Sequence, residues 1–151
     1  MSAQHSSLDD PDLGRLVRGE SIFDDGTVAV HDWYVGTVSD GDSEIELMID
    51  GTDVESVQPL LPRLRAVVAE LGSIRRTASD AVFTQFSDVE PEPHELDEGA
   101  RDLRLEAIEA TADGTFVLHF ADSCGEHFPD GYWPAAHLDG EGTVTAVTVE
   151  S

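Results

Sequence analysis

His119, Cys124 and His127 are the residues of this chain whose types and spacing come closest to a reactive constellation. They lie in the run His119-Phe120-Ala121-Asp122-Ser123-Cys124-Gly125-Glu126-His127, with His137 further on. A thiolate and imidazoles can ligate Zn²⁺, but a structural site usually takes four such ligands, and Cys124 has no second cysteine to join it. The same residues suit a Cys–His nucleophile pair, with Asp122 or Glu126 orienting the base. No motif of a known cysteine enzyme surrounds Cys124. The ordinary alternative is a polar hairpin loop with an incidental thiol. Asp40-Gly41-Asp42-Ser43-Glu44 resembles the start of a calcium loop. Such a loop needs a central glycine and a closing glutamate, where this chain has Ile45 and Gly51.

A second chemistry in the same region is recognition. Phe128, Tyr132 and Trp133 stand beside Glu126 and Asp130, and aromatic side chains with a polar handle are enriched at interfaces. Asp122, Glu126, His127, Asp130, Tyr132 and Trp133 are therefore the candidate partner-binding residues. The competing expectation is that Tyr132 or Trp133 simply packs into the core. No catalytic residue, metal ligand or cofactor is assigned, and the chain reads as non-enzymatic.

Charge narrows the partner. There are 32 acidic residues against 8 basic ones, all arginine, for a net charge of −24. Nucleic acids and anionic membranes are disfavoured as direct partners, because they recruit cationic clusters. A basic protein is favoured. One stretch departs from the pattern: between Ser56 and Phe86 only Glu70 and Asp80 oppose Arg63, Arg65, Arg75 and Arg76. Two plainer explanations compete with a binding role. They are adaptation to high salt, which would make this a housekeeping domain, and a genome that favours arginine over lysine. The lone cysteine rules out an internal disulfide, and no apolar run approaches the ~20 residues of a membrane span. The opening residues lack a basic, then apolar, signal pattern. A cytoplasmic location is expected; the oligomeric state is left open.

The elements that must position these residues can be read from patterning. Asp-Gly pairs at 25–26, 40–41, 50–51, 113–114, 130–131 and 139–140 suit tight turns, since glycine reaches positive φ and aspartate bonds its own main chain. Trp33–Ser39, with a short strand near Val28–Val30, and Glu44–Asp50 read as a hairpin. Ile45, Leu47 and Ile49 alternate there with polar neighbours. Asp53 reads as a helix N-cap. Val54, Val57, Leu61, Leu64, Val68 and Leu71 step by three and four, the stripe of an amphipathic helix that becomes regular near Pro59–Pro62 and breaks at Gly72. A second helical run covers Ser73–Phe86. Six acids between Ser87 and Ala100 imply a mobile acidic loop over about 87–101. Leu103–Ala110, Thr115–Ala121, Tyr132–Leu138 and Thr143–Val149 read as strands.

Strands, then helices, then strands predict an α+β domain spanning 13–151 after a disordered 1–12. Its core is an antiparallel sheet of about five to six strands with one or two helices on one face. Leu105-Glu106-Ala107-Ile108, Asp113-Gly114-Thr115-Phe116, the turn around Asp122, then Phe128, Gly131 and a closing valine-rich strand resemble an uncharacterised bacterial family, domain-of-unknown-function family 2262. The hairpin of Trp33 to Asp50 followed by a helix fits that family's layout. The resemblance implies no activity. Small acidic bacterial proteins of similar kind include immunity partners of toxins, so an immunity-like inhibitor of a basic partner is the functional expectation.

The charge argument yields a test. Like charges at this density oppose the compact state, and the screening length falls from ~8 Å at physiological salt to ~3 Å at 1 M. Thermal midpoints should rise between those conditions in NaCl. A flat or falling midpoint would show that the acids are already compensated.

Overall fold

The computed structural model describes residues 7–40, 43–122 and 131–150. Eight strands form one sheet in sequence order: β1 (Leu8–Asp10), β2 (Gly14–Ile22), β3 (Val28–Asp40), β4 (Ser43–Asp50), β5 (Leu103–Ala110), β6 (Phe116–Asp122), β7 (Trp133–Leu138) and β8 (Val144–Glu150). Neighbours are antiparallel except β4 and β5, which run parallel, with Met48 opposite Glu109. The architecture is thus α+β with a mixed sheet. The expected all-antiparallel sheet of fewer strands is corrected on both counts.

Parallel neighbours need a crossover, and here it is helical. Asp53 caps α1 (Val54–Val57) by accepting the Ser56 N–H at 2.8 Å. A 3₁₀ turn (Gln58–Leu60) leads into α2 (Leu61–Ala69), with Pro62 in its first turn where a missing N–H costs nothing. The chain bends at Glu70, two residues before Gly72, into α3 (Leu71–Gln85). Val57, Leu61, Leu64, Val67 and Leu71 are buried, and Val54, Leu60 and Val68 pack at their margin. They meet Tyr34, Ile45, Leu47, Ile49, Leu105, Ile108, Phe116, Leu118 and Phe120 from the sheet. Burying a leucine such as Leu64 fully contributes about 1.5–3 kcal/mol.

The expected acidic loop is corrected: Pro93–Asp102 is a helix, α4. Pro93 starts it, Glu95 lies in the first turn and Arg101 in the last, matching the helix dipole. Gly99 lets it approach α3 so closely that any Cβ there would run into Phe83. Arg76 then bonds Asp80 at 2.9 Å and Asp97 at 2.7 Å, joining the two helices. The expected disorder of 1–12 is corrected for its described part. Asp10 is buried, accepts the N–H groups of Asp12 and Leu13, and pairs with Arg65 at 2.8 Å. Burial pushes its carboxyl pKa up, but these bonds outweigh burial and hold it below the ordinary value. No helix among the described residues is long and apolar enough to cross a membrane.

Three hairpins close with the same five-residue turn, Phe23–Thr27, Thr111–Thr115 and Asp139–Thr143. Each places a glycine at positive φ (Gly26 at 86°, Gly114 at 88°, Gly142 at 86°) directly before a threonine. The Asp139-Gly140 pair therefore does not mark the special residue, since Gly142 rather than Gly140 takes that conformation. Asp113 accepts from the Thr111 and Thr115 hydroxyls and the Thr115 N–H, which lowers its pKa from 3.8 to about 2. Bonds within their turns likewise lower Asp25 and Asp139.

A carboxylate whose folded pKa is depressed stabilises the fold above its unfolded pKa, and loses that contribution as pH falls through the folded one. For Asp113 the window runs from 3.8 down to about 2. Asp113→Asn should lower the denaturant midpoint at neutral pH and flatten its fall across this window. An unchanged acid slope would show that the turn does not bind the carboxylate.

Candidate functional site

The crossover puts the helices on one face of the sheet, and strand alternation assigns the other face. Trp33, Val35 and Thr37 of β3, Glu44, Glu46 and Met48 of β4, Glu109 of β5, His119 of β6 and His137 of β7 lie opposite the core-facing residues of their strands. Their centre is a distortion in β3. Arg18 pairs with Tyr34 and Glu20 with Val30, so three residues of β3 oppose Gly19 alone. Such a bulge frees main-chain carbonyls from the ladder. Arg18 takes up that of His31 through its Nε, while one Nη donates to the Thr52 carbonyl beyond β4 and the other reaches Asp32 at 3.4 Å.

The bulge stacks two aromatic rings. The His31 imidazole and Trp33 indole lie 4.3 Å apart and within 1° of parallel. Ser21 Oγ bonds His31 Nε2 at 2.6 Å. Gly19 leaves space for the indole, because a Cβ there would stand 2.8 Å from Trp33 Nε1. Trp33, Met48, Asp50 and Glu109 enclose a depression of about 180 Å³. Asp50 is held by accepting the Ala112 N–H at 3.0 Å, and Glu109 by His119 Nε2 at 3.2 Å. Beside it lies a broader groove of about 660 Å³ lined by Arg15, Val17, Val35, Gly36, Thr37, Glu44, Glu46 and Glu106. The two adjoin where Val35 pairs with Met48.

Of the expected partner-binding residues, Asp122, Tyr132 and Trp133 are among the described residues. Trp133 opens β7, is 38% exposed, and shares the parity of Ala135 and His137, so it lies on the helix-free face. Tyr132 precedes the strand and is 50% exposed. Both therefore depart from the expectation that one packs in the core. Asp122 ends β6 opposite Leu103, with the parity of the core residues Phe120 and Leu118. Cys124, Glu126, His127 and Asp130 lie outside the described residues. His119 turns to Glu109 and His137 to Thr148, at 2.9 Å. Among the described residues no group of three or more His, Cys, Asp or Glu side chains is arranged to hold a metal.

Sequence reasoning passed over His31, Trp33, Asp50 and Glu109. The bulge that gathers them has no motif, and Glu109 follows the crossover. The available signal was Met48, an apolar residue on the polar side of the β4 alternation. Comparison with protein-family models, curated proteins and solved structures finds no match.

If Gly19 exists to seat the indole, Gly19→Ala should push Trp33 off His31 and cost about 1–3 kcal/mol by overpacking. In a Trp133→Phe background, which leaves Trp33 as the sole tryptophan, emission should shift to the red. Unchanged emission and stability would mean the indole is not held there.

Proposed function

We propose that this chain is a non-enzymatic binding domain whose helix-free sheet face captures a basic protein, in the manner of an inhibitor or immunity partner. One observation carries the reading. Glu44, Glu46, Asp50, Glu106 and Glu109 outnumber the one lining cation, Arg15, around an apolar strip of Val17, Val35, Trp33 and Met48, with Glu106 already paired to Arg104, on a face that no element among the described residues covers. Carboxylates around an apolar centre match the anatomy of a recognition surface, in which charge steers approach and desolvated apolar groups hold. Trp133 lies on the same face, and Glu126, His127 and Asp130, which are outside the described residues, enter the proposal through their sequence alone. A basic protein is the partner class, since the face and the net charge of −24 repel anionic ones.

An oligo-arginine peptide serves as the test ligand at low salt. Glu44→Gln, Glu46→Gln and Glu106→Gln together should slow its association by about tenfold. The matched helix variant Glu92→Gln, Glu95→Gln and Glu98→Gln removes the same charge from α4 and its N-cap and should leave association near the parent value. Equal losses in both would reduce the effect to net charge, as the salt-adaptation reading requires.

A further inference from the structure

We propose that the depression between Trp33, Met48, Asp50 and Glu109 is the anchor site for a single arginine side chain of that basic partner, an inference that rests on the preceding reading of the face. Size sets the first limit. At about 180 Å³ the space falls well short of the ~300–1,000 Å³ of cofactor and substrate pockets, and suits one side-chain head group.

The walls set the chemistry. An indole, a thioether and two carboxylates together match a flat organic cation. The indole offers its negative π-face, the carboxylates accept N–H groups, and Met48 gives an apolar seat for an alkyl stem. A guanidinium meets all three demands. It is planar enough to stack, presents several donors in a fork, and gives up its hydration more readily than an ammonium. Lysine has a charge, donors and a stem, but its ammonium cannot stack flat, lacks the planar fork and holds its water more tightly.

The walls are also fixed in advance, which lowers the ordering cost of binding. The plane of Trp33 is set by the His31 stack and by its close approach to Gly19. Asp50 commits Oδ2 to the Ala112 N–H, and Glu109 commits Oε1 to His119. Each carboxylate keeps a second oxygen for a ligand donor. Behind His31, the Arg18 fork holds the bulge that creates the stack. Trp33 and Asp50 are cross-strand partners, as are Met48 and Glu109, so rigid ladder positions carry all four walls.

The test uses Trp133→Phe as parent, so that emission reports Trp33 alone, and Nα-acetyl-arginine amide as probe. A saturable change in emission is expected. The lysine analogue should bind at least about fivefold more weakly, and the citrulline analogue, an uncharged isostere, should give no saturable response. Glu109→Gln and Asp50→Asn should each weaken the arginine amide by about tenfold, with thermal midpoints near the parent's. A response that never saturates, or one that citrulline reproduces, overturns the site. The oligo-arginine assay separates this failure from that of the wider reading. If Glu44→Gln, Glu46→Gln and Glu106→Gln slow capture while Glu109→Gln and Trp33→Leu leave dissociation unchanged, the anchor falls and the acidic face stands. If arginine amide saturates the site but capture ignores the face acids, the face reading falls and a guanidinium site is left.

Discussion

The parallel contact between β4 and β5 governs the rest of this molecule. Each four-strand half is a simple antiparallel meander in which strands consecutive in sequence are neighbours in the sheet. Two meanders laid edge to edge with parallel central strands cannot be joined by a turn, so the chain must return across the sheet. Residues from Val54 to Asp102 make that return as helices. Once they cover one face, the apolar alternation of Ile45, Leu47 and Ile49, and of Phe116, Leu118 and Phe120, has its partner. Among the described residues no helix covers the opposite face. Its composition follows: glutamates, threonine and histidines keep it wet, and Val17, Trp33, Val35 and Met48 form an apolar strip among them. The candidate site is the uncovered side of a topological choice.

A second constraint is how few cations an acidic chain has to hold itself together. Arg18, Arg63, Arg65 and Arg76 each bridge separate elements. Arg65 ties α2 to the end of β1, and Arg76 ties α3 to α4. Arg63 reaches from α2 to the turns of the last two hairpins, lying so close to Gly140 that any side chain there would displace it. Arg18 binds two carbonyls and a carboxylate at once, which a lysine's single ammonium would match poorly. Exposed pairs such as Arg76–Asp97 contribute little individually, ~0–1 kcal/mol. The partly buried Arg65–Asp10 pair matters more, because without Arg65 the carboxylate stays buried with one charge partner fewer. The arginine-rich stretch within 56–86 is therefore internal fastening rather than a basic surface.

What the sequence made legible follows from which forces act locally. The β4 alternation, the Val57–Leu71 stripe and the Asp53 cap depend on residues close in the chain, and they were readable. β2 was not, because Leu16 points inward while Val17, Arg18 and Glu20 blur any alternation. α4 escaped because its inner face is Leu96, Gly99, Ala100 and then Leu103; small residues that permit close packing do not register as an apolar stripe, and the acids around them suggest a loop. The parallel pairing and the β3 bulge are tertiary facts with no local signature. His119 drew attention for its proximity to Cys124 in sequence, yet its contact is Glu109, across a strand pair.

The acids divide by what they already hold. Asp25, Asp113 and Asp139 spend their oxygens on turn N–H groups and hydroxyls, and their lowered pKa values record it. Asp53 spends its own on a helix cap, and Asp10 on a turn and an arginine. These charges are structural and have less to offer a partner, since an oxygen satisfied internally is a weaker acceptor for a second donor. Glu44 and Glu46 line the groove with no hydrogen bond or ion pair shown to another described residue, while Glu109 and Asp50 are each held through one oxygen. Net charge alone would make the whole surface attractive to a cation. The division makes one face more attractive than the rest, and it places an indole of fixed orientation in the middle of that face.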